Sequence, residues 1–124
     1  MTYTDDERLE SSDIDLNQMA MQIILHSGNA RTMADEAFQY AKEKKFVEAY
    51  CKLEQADREG ILKAHQAQTQ MIQEEARGIV HESSLLFTHA QDHLMTTMCE
   101  INNIKRLIEL YELIVNQNEV KREG

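Results

Sequence analysis

Two histidines and an aspartate, His89, Asp92 and His93, are the side chains of this 124-residue sequence best suited to chemistry. They lie in Ser83 to Glu100, read as SSLLFTHAQDHLMTTMCE. This stretch has no Gly or Pro and opens on Ser83 and Ser84, residue types that cap helices. It predicts the start of a helix running to about Gln117. Residues three and four apart share a helical face, so Glu82, His89, Asp92, His93, Thr96, Glu100 and Asn103 form one stripe. That stripe is apolar at both ends, with Leu85 and Leu86 before it and Leu107, Leu110, Tyr111 and Ile114 after it. A second face carries Phe87, Ala90, Leu94, Met98, Ile101 and Ile108. One packing partner needs an apolar stripe of only about 100°. The helix is therefore expected to be covered on two sides, with its histidines and carboxylates at or beside an interface.

Four kinds of chemistry suit these residues. Two imidazoles in an HxxxH pattern share a face and suit zinc, but the glutamate of HExxH is missing and Asp92 brings the ligands only to three. A histidine titrating near neutrality suits general acid–base work, yet no nucleophile constellation or Gly-rich phosphate loop accompanies it. The residues would also serve simply as polar groups over a helical interface. Finally, a neutral imidazole is a good nucleophile and a labile phosphoryl carrier. That role needs one exposed ring nitrogen, a partner fixing the other, and donors for the phosphoryl oxygens. Gln91 offers an amide and His93 a second imidazole, from the same chain or from another. Spacing alone leaves all four readings open.

The elements that position this stripe follow from composition. One domain is expected at this length. The chain has no Pro, no Trp and 4 Gly, and few runs of β-branched or aromatic residues. Those features predict an all-α protein. A net charge of −9 argues against nucleic acid and against anionic membrane surfaces as partners. No apolar stretch approaches the ~18 residues of a membrane span, and no signal-peptide pattern opens the chain, so the expected location is the cytoplasm. Cys51 and Cys99 show no metal-type spacing and are expected as free, buried thiols.

Residues 1–13 are polar and acidic and are expected to form a flexible tail, residues 14–117 the folded domain, and residues 118–124 a second flexible tail. From Leu16 a helical period places Met19, Ala20, Ile23, Ala30, Ala34, Ala37, Phe38 and Ala41 on one face. Ser27-Gly28 interrupts it, as expected of a kink or of another backbone passing close. His26 and Arg31 flank these small residues, and a structural role outweighs a functional one for both. Glu43-Lys44-Lys45 is a turn without the Gly that often ends a helix. Phe46 to about Ala76 reads as the second helix, with Gly60, Ala64 and Ala67 permitting close approach to a neighbour. Arg77-Gly78 ends it, and Ile79 to Glu82 connects to the third. Three helices near ~45 Å long joined by short turns make an antiparallel three-helix bundle.

The run HAQDHLM, His89 to Met95, resembles the active-site segment of enzyme IIA components of the lactose/cellobiose (N,N'-diacetylchitobiose) family of the bacterial sugar phosphotransferase system. MQIILHSGNAR (Met21 to Arg31), AHQAQTQMIQEEARG (Ala64 to Gly78) and IELYE (Ile108 to Glu112) resemble further segments of that family in the same order, so the resemblance covers roughly Leu16 to Val115. It implies a phosphotransferase component, a homotrimer of three-helix bundles with His89 as phosphoryl acceptor on its Nε2. Gln91 and His93 would support the site, Gln91 from a neighbouring subunit because it points about 160° from His89 on an ideal helix. Asp92 would meet its two symmetry mates at the trimer axis, where a divalent cation, Mg²⁺, offsets their repulsion. HPr would be the donor and a IIB component the acceptor, with the membrane involved only through the permease. The sequence departs from the family where Lys44-Lys45 replaces a frequent Gly-Asp and Lys63 a frequent Glu. Ala90, where lactose-type members often have Gly, leans towards the cellobiose/diacetylchitobiose branch. Two other readings compete with the phosphocarrier: a non-enzymatic helical interaction module, and a metal-dependent hydrolase using His89, Asp92 and His93.

Overall fold

The computed structural model describes the backbone of residues 5–123 and the side chains of residues 16–122. Within them the chain is helical throughout apart from two short connections. Helix α1 spans Asp5–Lys42, α2 Phe46–Gln55, α3 Leu62–Ala76 and α4 Leu85–Glu123. A π-helical turn, Ala56–Ile61, joins α2 to α3, so these three segments form one rod between α1 and α4. The all-α three-helix bundle expected from composition is the observed architecture, with no strand among the described residues.

Small residues set the packing distance. Leu16, Ala20, Ile23, Ala30, Ala34, Ala37 and Ala41 of α1 are buried, as the three-and-four spacing requires. They pack as two clusters. One joins Ala30 to Ala41 with Ala49, Leu53 and Ala56 of the middle rod and Ile101 and Ile108 of α4. The other joins Ala20 and Ile23 to Ala64, Ala90 and Leu94. Gly60 marks the closest approach. A Cβ there would stand 2.5 Å from the Ala30 Cβ and 2.9 Å from the carbonyl oxygen of His26. The π turn that contains it divides what the sequence presents as one α-helix. The extra residue in a π turn locally rotates the face behind it, here where backbone must press against backbone.

Ser27-Gly28 behaves differently from expectation. Helix α1 runs through it without a break, and a Cβ on Gly28 would meet nothing within 4 Å. No neighbouring backbone needs this glycine; Thr32 Oγ1 donates to the Gly28 carbonyl oxygen at 3.1 Å, inside the same helix. The helix ends also extend further than the sequence suggests. Residues 5–13, expected in the N-terminal tail, prolong α1; residues 1–4 of that tail lie outside the described residues. Helix α4 passes its expected end at Gln117 and continues through residues 118–123, with Lys121 and Arg122 in its last turn, which suit the negative end.

Two helices end in the same way on different residues. Gly78 has φ +87°, with Gly78 N donating to Glu75 O and Ile79 N to Glu74 O, both at 3.0 Å. Lys44 has φ +62°, with Lys44 N donating to Ala41 O and Lys45 N to Tyr40 O, both at 2.9 Å. This paired 5→2 and 6→1 pattern is the Schellman cap, which favours Gly in the left-handed position. Holding a lysine there costs about 1–2 kcal/mol in backbone sterics, partly offset because Gly loses more entropy on folding. Lys44→Gly should therefore raise stability by about 0.5–1 kcal/mol, read as an upward shift of the thermal midpoint. A lower midpoint would show that Lys44 makes a compensating contact.

Candidate phosphoryl site on helix four

Ser84 fixes where α4 begins. Its Oγ accepts from Phe87 N at 3.2 Å, and its carbonyl oxygen accepts from Thr88 N at 3.1 Å. From that cap the helix period sorts the side chains. Ala90, Leu94, Thr97, Ile101 and Ile108 are buried against the rest of the bundle. His89 and His93 fall one turn apart, His89 exposed and His93 half-buried. Their rings stack, centroids 6.4 Å apart and planes 13° from parallel. Thr96 closes the next turn, its Oγ1 lying 2.8 Å from the Asp92 carbonyl oxygen and 3.1 Å from that of His93.

One ion pair crosses from α1 to this face. Arg31 Nε donates to Glu100 Oε2 at 2.8 Å, with both side chains partly exposed. Burial lowers the pKa of His93 below the ordinary histidine value, and the positive charge of Arg31 lowers it further; neighbouring His89 acts in the same sense, while Glu100 opposes it. His93 is thus held towards its neutral form, with one ring nitrogen to donate and one to accept. Arg31, to which the sequence gives a structural role, joins the site's electrostatics. The signal for it is compositional: it is the only Lys or Arg from Leu9 to Ala41.

The structure thus brings His89 and His93 together and leaves Asp92 exposed beside them. It does not bring Gln91 to His89: no hydrogen bond joins them among the described residues, and two positions along a helix turn a side chain to nearly the opposite side. The other histidines have different company. His26 Nε2 lies 3.1 Å from Gln22 Oε1, and His65 Nδ1 lies 3.4 Å from Thr69 Oγ1. His65 is exposed and not crowded by a neighbouring backbone as its small flanking residues suggest. His81 has its side chain only 10% exposed, with Nε2 2.7 Å from Glu74 Oε2. A cleft of ≈ 1030 Å³ lined by Gln22, Met71, Glu74 and His81, among others, contains neither His89 nor His93.

Both cysteines are free, as expected, but exposed and not buried. Cys51 and Cys99 stand on the outward faces of their helices; Asn103 Nδ2 lies 3.8 Å from Cys99 Sγ. Among the described residues nothing covers the far side of α4. Leu85, Leu107, Leu110, Leu113 and Ile114 are 46–87% exposed, a larger run of apolar surface than scattered exposed residues explain. The described residues of the single chain do not supply the second cover expected for this helix.

Among the described residues no group of three or more His, Cys, Asp or Glu side chains is gathered to hold a metal ion. The His89, Asp92 and His93 set does not form the ligand cluster that the hydrolase reading requires. Asp92 offers one exposed carboxylate per chain. That fits a hard cation such as Mg²⁺, which prefers oxygen donors, only where further copies add their own carboxylates.

Comparison with known proteins converges on one family. The model described as PTS system, Lactose/Cellobiose specific IIA subunit, matches residues 18–112. The chain is 47% identical over 103 residues to the lichenan-specific phosphotransferase enzyme IIA component of Bacillus subtilis (strain 168), covering 83% of this chain and 93% of that one. Among solved structures, the PTS cellobiose specific enzyme IIA from Bacillus anthracis superposes with TM-score 0.72 at 42% identity, over 86% of this chain and 92% of that one. The IIA(Chitobiose)–HPr complex of the Escherichia coli N,N'-diacetylchitobiose branch gives TM-score 0.69 at 37% identity, over 80% of this chain and 95% of that one. No described helix is long and apolar enough to cross a membrane.

Proposed function

This chain belongs to the lactose/cellobiose-specific IIA family of the sugar phosphotransferase system, and from that premise we propose that it is a cytoplasmic phosphocarrier whose acceptor is His89. The observation that carries the reading is the stacked pair on α4: an exposed imidazole with a second, neutral-leaning imidazole one turn away. HPr is the donor, in keeping with the HPr complex formed by the chitobiose relative. A IIB component is the acceptor. The sugar never enters this protein's chemistry.

The step is an in-line transfer between nitrogens. A lone pair on neutral His89 forms a bond to phosphorus as the bond from phosphorus to the donor ring breaks, and that electron pair stays on the donor. The proton on the other nitrogen of His89 need not leave. Little covalent work is left to the protein, so catalysis is positioning and charge stabilisation. His93, whose pKa burial lowers, favours its neutral form and would donate one hydrogen bond to the phosphoryl oxygens. Gln91 reaches a phosphoryl group only on a neighbouring subunit. Incubation with phosphoenolpyruvate, enzyme I and HPr should add one acid-labile phosphate per chain. A helical interaction module or a metal-dependent hydrolase would gain none.

The same reading makes the protein a homotrimer, with the exposed apolar residues of α4 covered by other copies. The three Asp92 carboxylates then converge on one axis, where they would hold Mg²⁺. Bound there, the cation offsets their mutual repulsion and takes no part in the transfer. Asp92→Leu should keep the trimer and release the cation, since a packed apolar group can replace a buried charge. Sedimentation of a wild-type monomer at micromolar concentration would refute the assembly.

A further inference from the structure

A phosphoryl group brings up to about two negative charges to its site, in a chain already at −9. The two helices that flank the histidine face carry almost nothing to balance it. Helix α4 has no Lys or Arg before Lys105, and Arg31 is the single one in α1 from Leu9 to Ala41. That residue is also the one bonded across to α4. Its Nε meets Glu100 at 2.8 Å, while its terminal amino groups donate to no protein acceptor among the described residues. Glu100 lies seven residues beyond His93 on the same face, two turns or about 10.5 Å along the axis, a span that a long arginine side chain partly covers. The positive guanidinium lowers the pKa of His93, so it lies within electrostatic reach of that ring, one turn from His89.

We propose that Arg31 is a positioning residue of the phosphoryl site: tethered by Glu100, it supplies the fixed positive charge beside the histidine face of α4. The proposal rests on the reading of His89 as phosphoryl carrier. Glu100 holds the guanidinium by one contact, which fixes its place while leaving part of its charge for an incoming anion. An arginine suits this because it stays charged at every working pH and keeps several donors after one is used. A tether alone would need only the pair; a charge reservoir needs the arginine more than it needs the glutamate. The two roles therefore differ in what each partner's removal does.

The test compares initial rates of phosphate uptake on His89 from phosphoenolpyruvate, enzyme I and HPr, at low and high salt, for Arg31→Gln, Arg31→Lys and Glu100→Gln. Arg31→Gln should slow uptake about 10-fold at saturating HPr, less than the 10²–10³ lost with a donor touching the reacting atoms. Its remaining rate should depend less on salt than that of wild type, because screening acts over about 8–10 Å. Arg31→Lys should restore most of the rate, and Glu100→Gln, which keeps an oxygen to accept from Arg31, should slow it much less than Arg31→Gln does. Far-ultraviolet circular dichroism checks that each variant is folded, and the lysine variant keeps the comparison decisive if the glutamine variant is not. Equal slowing by Arg31→Gln and Glu100→Gln without rescue by lysine would reduce Arg31 to a helix tether. Unchanged uptake in Arg31→Gln would overturn the proposal outright. Wild-type protein that takes up no phosphate would instead overturn the phosphocarrier reading, and the Arg31 proposal with it.

Discussion

His89→Ala takes up no phosphate from HPr, while its helicity and association match wild type: that is the expected result, and the largest effect on activity. The alanine removes the only atom proposed to bond phosphorus. It should cost nothing in the fold, because the His89 side chain is exposed and packs into neither core cluster. His93→Ala should slow labelling without abolishing it, as befits a supporting imidazole. Peptide mapping under mildly alkaline conditions, where phosphohistidine survives, should place the group on residue 89. Phosphate found on His93, or full labelling of His89→Ala, would reverse the assignment.

Helical structure here is easy to read because its signals are local and repeat. Alanines at positions 30, 34, 37 and 41 fall on one face at three-and-four spacing, and all four are buried. Ser84 caps α4, as its position before an unbroken run suggests. The site was half legible. His89 and His93 share a stripe by spacing alone, but choosing phosphoryl transfer over zinc or an interface needed the longer HAQDHLM pattern. What escaped depends on side chains distant in sequence. Glu100 meets Arg31 across 69 positions, and no local pattern in α1 reveals that pairing. Of the two helical glycines, Gly60 makes the close approach that its small neighbours predict, and Gly28 does not. Gly28 breaks the periodic pattern and looks special, yet faces open space; Gly60 sits in a permissive helix and is the one in contact. Sequence shows where a side chain is missing, but the need for the gap lies on the other helix.

That contrast sets the second large effect. Gly60→Ala should destabilise the protein while Gly28→Ala should not. At Gly60 the new Cβ would lie 2.5 Å from the Ala30 Cβ and 2.9 Å from both the Ala30 Cα and the His26 carbonyl oxygen. Two of those three atoms are backbone and cannot swing aside, so α1 itself must move. Overpacking of this kind costs about 1–3 kcal/mol, and a valine would cost more. Against it, replacing a helical glycine returns only about 0.5–1 kcal/mol. At Gly28 only the gain applies, because nothing stands within 4 Å. Thermal unfolding at one fixed protein concentration, needed because association shifts apparent stability, should show Gly60→Ala several degrees below wild type and Gly28→Ala at or above it. Equal midpoints for the two variants would mean that the π turn gives way and α1 stays in place. The displacement should also reach the site. Ala30 precedes Arg31, so pushing Ala30 outward strains the Arg31–Glu100 pair, and phosphate uptake by Gly60→Ala should slow even at temperatures where the variant is fully folded.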